Sequence, residues 1–228
     1  MQAKLRVMVW MHGGFLQFGS SHQPGLSPSG KLAKKLDTVF VSFNYRLHAL
    51  GFLALNPGVN LEQGADYRKG SVNRSDTSSG RRSLGDERLA GNFGIWDQVM
   101  ALTWVQQNIR SFGGDPEHVT VFGPDSTGAT ILAMMSNQGV SQSLFQSAWI
   151  LDPAVFMNKS MDEVSRKAQD SFFLRSGCDS LSCLRSLSPE SVTKIFLGND
   201  DPSFRINDQN DLPIQGIFPQ QLIVIDGM

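Results

Sequence analysis

His118-Val119-Thr120-Val121-Phe122, then Gly123-Pro124-Asp125-Ser126-Thr127-Gly128, then Ala129-Thr130-Ile131-Leu132-Ala133-Met134-Met135: the fold turns on how these three stretches connect. The first is apolar and β-branched and reads as a buried strand. The third is small and apolar and reads as a deeply buried helix over Thr127 to Met135. The glycines and the proline between them force a sharp turn. A serine at such a corner stands clear of both elements, and the usual pattern for a nucleophile held this way is Gly-x-Ser-x-Gly. Here Gly128 follows Ser126 by two residues, but Pro124 precedes it by two. Two registers are therefore open. If Pro124 is an extra residue, Ser126 takes the corner; without a gap, Asp125 takes it. Ser126 also has a purely structural reading, as the hydroxyl that caps the following helix.

Working outward, Leu5 to Met11 is a short, nearly continuous apolar run that stops at His12-Gly13-Gly14. It reads as a central strand buried on both faces. Residues 38–45 form a second such run, and Lys31 to Leu36 before it suit a short crossover helix. From Ile95 to Ile109, the residues Ile95, Val99, Leu102, Trp104, Val105 and Ile109 recur near the helical period. Gly113-Gly114-Asp115-Pro116 ends that helix. Phe145 to Leu151 reads as a strand, Asp162 to Leu174 and Pro189 to Leu197 as amphipathic helices, and Leu222 to Asp226 as a last strand. Strands alternating with helices predict an α/β fold with a mainly parallel central sheet flanked by helices. Residues 57–90 are rich in Gly, Ser, Asp and Arg. They read as a long, flexible surface insertion, with a lid or partner-binding loop as the alternative.

The 228 residues suffice for one sizeable domain with its own core. Hydrophobic residues make up 40% and charged residues 18%, proportions of a globular rather than a disordered chain. A formal net charge of −1 gives no footing for nucleic acid or an anionic membrane surface. No uninterrupted apolar run reaches the ~20 residues of a membrane span. Met1-Gln2-Ala3-Lys4-Leu5-Arg6 leads directly into a strand, so no cleavable signal peptide is expected. Cys178 and Cys183 fit neither a redox Cys-x-x-Cys nor a zinc knuckle, and on spacing alone they are a short-loop disulfide or two free thiols. Asp162, Glu163, Glu190, Asp200 and Asp201 read as solvated positions rather than a metal site.

Acyl transfer needs an activated nucleophile, a base, and N–H donors for the developing oxyanion. His12-Gly13-Gly14-Phe15 after a strand is suited to the last of these, because glycine lets the backbone approach a substrate with its amides exposed. Several blocks then follow in order: Trp10-Met11-His12-Gly13-Gly14-Phe15, Phe43-Asn44-Tyr45-Arg46-Leu47, Gly51-Phe52-Leu53, Gly91-Asn92-Phe93-Gly94-Ile95-Trp96-Asp97-Gln98, Ala101 to Ile109, Phe112-Gly113-Gly114-Asp115-Pro116, and Val119-Thr120-Val121-Phe122-Gly123. Together they closely resemble the type-B carboxylesterase/cholinesterase family of α/β-hydrolases, over roughly residues 5–197. That family holds esterases and lipases. It also holds non-catalytic adhesion relatives such as neuroligins, neurotactin and glutactin.

The resemblance implies an α/β-hydrolase fold, incomplete at both ends, as a single partial domain over residues 1–228. It implies hydrolysis of a small-molecule carboxylic ester without a cofactor. The spacing down to Leu144-Phe145 favours Ser126 as nucleophile, with the backbone N–H groups of Gly14, Phe15 and Thr127 as oxyanion donors. Phe15 stands where Gly or Ala is usual and adds bulk beside the acyl pocket. The family's acid and histidine fall beyond Met228. His12, His22, His48 and His118 match no base, and loss of a triad histidine costs about 10⁶ in kcat. Ester hydrolysis is therefore expected to be impaired or absent. The alternative is a non-catalytic binding or adhesion domain with a protein partner. The resemblance also implies a Cys178–Cys183 disulfide, a secretory or extracellular parent protein, and N-glycosylation candidates at Asn73 and Asn158.

Overall fold

The computed structural model describes residues 4–54, 91–153, 160, 172, 174–178, 181–197 and 223. The chain divides into two compact units, one of residues 1–52, 92–157 and 228, the other of residues 53–91 and 158–227. The insertion expected at 57–90, the helix expected at 162–174 and the strand expected at 222–226 lie almost wholly outside the described residues, as do Asn73 and Asn158.

The first unit is built on a parallel sheet of β1 (Leu5–Met11), β2 (Thr38–Phe43), β3 (Gly114–Pro124) and β4 (Ser147–Leu151), in the order β2-β1-β3-β4. The most continuous apolar runs take the two inner places, where both faces are covered. Val7, Val9 and Met11 of β1 and Val119 and Val121 of β3 have no measurable exposure. They pack with Leu102 and Val105 of α3 (Phe93–Asn108), Ile109 of the 3₁₀ turn Ile109–Phe112, Ile131 and Met134 of α4 (Ser126–Ser136), and Leu144 of α5 (Gln138–Leu144). The crossover helix α1 spans Gly30–Leu36, and Ser29 Oγ caps it by accepting from Leu32 N–H. These are the α/β layers expected from the sequence, with three differences of detail.

The strand read at 118–122 runs from Gly114 to Pro124, because its ladder with β1 begins at Leu5 and its ladder with β4 continues to Pro124. The buried stripe of α3 is Gly94, Gln98, Leu102 and Val105, continued by Ile109. Trp104 falls off that stripe, is 46% exposed, and packs on Phe112 with ring centroids 5.7 Å apart. Two short helices, α2 (His48–Phe52) and α5, were not anticipated, since five and seven residues are too few to show a period. Ahead of α2 the chain is clasped to α3 by Arg46, whose N–H, Nε and Nη2 donate to the Asp97 carboxylate at 3.0, 2.8 and 2.7 Å.

In the second unit, α6 (Leu174–Ser176), α7 (Leu181–Ser186) and α8 (Pro189–Leu197) are described. A disulfide joins Cys178 to Cys183, as the resemblance implied. Ser188 caps α8 by accepting from Ser191 N–H at 3.2 Å, with Pro189 in the first helical position where its missing N–H does no harm.

Leu102 and Trp104 give a direct test of which face of α3 carries the core. Leu102→Ala is expected to cost about 2–5 kcal/mol through lost burial and a residual cavity. Trp104→Ala should cost less than about half of that, as a half-exposed position. Equilibrium urea unfolding of the two variants measures both, and equal losses would contradict the helix orientation.

Candidate active site

The corner between β3 and α4 is a single residue. Pro124 still pairs with Leu151 in the strand ladder, so it is not an inserted residue. Ser126 is already the first residue of α4. That leaves Asp125, with φ 55° and ψ −130°, outside the regions that L-residues favour. Its N–H donates to Leu151 O and its carbonyl accepts from Gly128 N–H, both at 2.9 Å, which holds the turn shut. The chain thus takes the ungapped register, and the apex is Asp125 rather than the Ser126 that the downstream spacing had favoured. The physical reason is the unbroken β3–β4 ladder, which leaves no residue over to be looped out.

Ser126 is 7% exposed, and its Oγ accepts from Leu16 N–H at 3.1 Å. Among the described residues its other hydrogen bond is a long one, 3.5 Å, to Asp125 Oδ2. The hydroxyl faces the loop after β1 rather than solvent. It is not a helix cap either, because the N-cap position is Asp125 and no side-chain bond caps that end.

The glycine loop does what such loops can do, but its ligand comes from within the chain. Gly14 N–H and Phe15 N–H both donate to Asp125 Oδ2, at 3.1 and 3.0 Å. To aim two successive amides at one oxygen the backbone adopts φ 121° at Gly14, 54° at Phe15 and 61° at Leu16. A β-carbon on Gly14 would also lie 2.3 Å from Phe18 O, so no other residue fits there. Phe15 carries its bulk outward, 49% exposed and tilted against Phe18 at 6.0 Å.

Thr127, expected as the third donor, is two residues past the apex rather than next to it. It is fully buried in the first turn of α4, and its Oγ1 donates to the His12 carbonyl in a short hydrogen bond. Tyr45 Oη donates to the same carbonyl at 2.8 Å, and its ring stacks on the His12 imidazole at 4.6 Å. Two hydroxyls therefore pin the peptide that leads into Gly13-Gly14. Sequence reading passed over Tyr45 as part of a motif block; its position just after β2, which pairs with β1, was the available signal. Burial holds the Tyr45 phenol well above its ordinary pKa, against an opposing hydrogen bond from Thr127, so it stays a donor.

None of the four histidines contacts Ser126 or Asp125 among the hydrogen bonds of the described residues. His12 is 1% exposed with Nδ1 3.0 Å from Gly13 O, and its Nε2 has no hydrogen-bond partner among the described residues. His22 lies 3.0 Å from Ser21 Oγ, and the exposed His118 lies 2.9 Å from Asp115. Burial lowers the pKa of both His12, where the Gly13 carbonyl opposes the shift, and His48. No group of three or more potential metal ligands occurs among the described residues, and no described helix is long and apolar enough to cross a membrane.

A sheet of this order, an oxyanion-type loop after β1 and a strained corner after β3 place the chain structurally. The family-wide sequence profile of the carboxylesterase family matches residues 1–60 and 79–214. The chain belongs to the carboxylesterase family. It is 34% identical over 204 residues to a human cocaine esterase, covering 85% of this chain and 30% of that protein. It is 29% identical over 216 residues to a bovine bile salt-activated lipase, covering 86% of this chain and 30% of the relative. Among solved structures, a PNB esterase superposes with a TM-score of 0.65 at 29% identity, over 86% of this chain and 36% of its own. A Geobacillus stearothermophilus carboxylesterase gives 0.66 at 28% identity, over 87% and 36%. The α/β-hydrolase fold is thereby shown, and the chain spans about a third of these relatives.

Two predictions follow from this geometry. Gly14→Ala should destabilise the chain by about 1–3 kcal/mol or more, because a strained φ and a backbone clash act together; thermal melting reads this, and an unchanged midpoint would contradict the loop conformation. The second concerns pH. His12 and His48 have folded pKa values below the unfolded value of 6.5, so the unfolded chain binds more protons as pH falls. Their contribution is fully present above about pH 6.5 and declines below it. The urea midpoint should fall between pH 7.5 and pH 5, and a midpoint that rose over this interval would contradict the burial of both rings.

Proposed function

We propose that this chain carries a carboxylesterase-type domain whose serine ester hydrolysis is suppressed at the elbow, and that the domain works by binding a protein partner. The observation that carries the reading is the Asp125 carboxylate at the apex, with Oδ2 on the two amides that would hold an ester's oxyanion. An ester carbonyl would have to displace an anionic ligand that is covalently part of the site. Acyl transfer to a carboxylate gives an anhydride, which is less stable than the ester it came from, so this apex does not replace a serine in acyl chemistry. Ser126 offers no alternative route while its oxygen is engaged by Leu16 N–H and no described histidine is placed to take its proton.

A carboxylic ester hydrolase acting through Ser126 is the reading that the retained Gly14 and Phe15 donors favour. It requires the Ser126 hydroxyl to leave Leu16 and the Asp125 carboxylate to leave the donors, and small-molecule esters would then be its substrates. The Cys178–Cys183 disulfide supports folding of the parent protein in an oxidising, secretory or extracellular compartment. Glycosylation at Asn73 and Asn158 is the companion proposal. Residues 1–228 are taken as one partial carboxylesterase domain, with no cofactor.

A fluorophosphonate probe separates the two readings. The folded chain is incubated with the probe beside a catalytically active carboxylesterase as a positive control, and adducts are located by mass spectrometry. Ser126 is expected to remain unmodified while the control labels fully. A Ser126 adduct that disappears in Ser126→Ala would overturn the binding reading in favour of the hydrolase.

A further inference from the structure

We propose that α1 and the loop ahead of it form a peripheral docking surface for an anionic phospholipid bilayer. A crossover helix beside a parallel sheet ordinarily buries one apolar stripe against the strands. α1 buries none of its residues. Leu32 and Leu36, one turn apart, are 39% and 50% exposed, and Leu26, three residues ahead of the Ser29 cap, is 57% exposed. Leu32 and Leu36 share one face of the helix, and Lys31 and Lys35 share the adjoining one, as positions four apart do. Lys34 is exposed beside them. No ion pair engages the three lysines among the described residues.

The charge pattern and the leucines together select the occupant. In residues 7–45, Lys31, Lys34, Lys35 and Asp37 are the only Asp, Glu, Lys or Arg. The whole-chain net charge of −1 thus conceals a local excess of positive charge on this helix. Lys34 and Lys35 lie in the last turn, where cations suit the helix dipole, but Lys31 lies in the first turn, where no acidic residue offsets it. The helix gains nothing from Lys31 there, and the leucines gain nothing from water. A bilayer with anionic headgroups uses all of them: the leucines enter the boundary between headgroups and acyl chains, while the lysine ammonium groups reach the phosphates on their flexible stems. An acidic protein or polymer would engage the lysines and leave the leucines in water. Seven residues lie along such a surface rather than across it, which gives a reversible, salt-sensitive association. α1 hands the chain to Thr38, which pairs with Arg6 at the start of β1, whereas Gly14 and Asp125 meet past the other ends of their strands. Attachment through α1 therefore does not engage the elbow.

The full chain is mixed with vesicles of phosphatidylcholine alone, or with roughly one third phosphatidylserine, in about 0.1 M salt, and the bound fraction is read by co-sedimentation. Partition onto the anionic vesicles should exceed that onto the neutral ones by at least about tenfold, and about 0.5 M salt should remove most of the difference. Replacing the three lysines together (Lys31→Gln, Lys34→Gln, Lys35→Gln) should abolish the preference. Replacing the two helix leucines (Leu32→Ser, Leu36→Ser) should lower binding to the anionic vesicles by about fivefold or more. All five positions are exposed, so both variants should melt close to the parent chain. Absence of binding, equal partition onto the two vesicle types, or a lysine variant that keeps the preference would overturn the proposal. So would full binding by the leucine variant beside loss in the lysine variant, a result that would point instead to an acidic polymer or protein. None of these outcomes bears on phosphonylation of Ser126, which tests the protein-binding reading by itself.

Discussion

The parallel pairing of β1 with β3 is the constraint on which the site depends. Gly14 and Asp125 are 111 residues apart in sequence, and they meet because Val7 to Trp10 run in register with Val119 to Phe122. Both strands then end at the same edge of the sheet, one in a glycine loop and the other in a tight corner. Loops at the carboxyl ends of parallel strands are where such sheets place ligands. The fully buried valines of the two strands supply the burial that resists a slip of this register, since a one-residue shift would carry every side chain to the opposite face. Such a slip would also separate the amides from the carboxylate by about one residue rise, roughly 3.3 Å.

Below the loop, the His12 peptide is the second fixed point. Its carbonyl accepts from Thr127 on α4 and from Tyr45 after β2, so three successive pieces of the first unit are tied at one atom. A buried hydrogen bond of this type contributes about 1 kcal/mol net, but leaving its partner unsatisfied costs more. The arrangement therefore acts more through geometry than through stability. It sets the direction in which the chain leaves β1, and so the direction in which Gly14 and Phe15 point their amides.

The sheet was legible in the sequence because its strands are unbroken apolar runs bounded by Gly, Pro and Asp. The family was legible because many short blocks occur in one order. What failed to show were features settled by tertiary partners. Gln98 is polar, yet it sits fully buried on the core stripe of α3, while Trp104 is apolar and half exposed. The elbow is the sharpest case. Pro124-Asp125-Ser126-Thr127 can be read with serine or aspartate at the corner, and residue identity favours serine. The choice is made instead by the strand ladder, which uses Pro124 as its last paired residue and leaves Asp125 to absorb the turn. No local pattern reports where a ladder stops.

The aspartate also answers an energetic difficulty that the loop creates. Phe15 and Leu16 both hold positive φ without being glycine, and such residues cost of order 1–3 kcal/mol each. A serine at the apex would leave the two amides to water or to a passing ligand. A carboxylate there accepts two charge-assisted hydrogen bonds, of the kind worth about 1.5–3 kcal/mol. The strain in the loop and the anion at the corner therefore offset each other inside one chain. An ester competing for those amides would have to displace the carboxylate already seated, and an ionised acid would in addition meet the repulsion between like charges. The aspartate at the corner where a serine was expected thus changes more than one side chain: it fills the cradle formed by Gly14 N–H and Phe15 N–H.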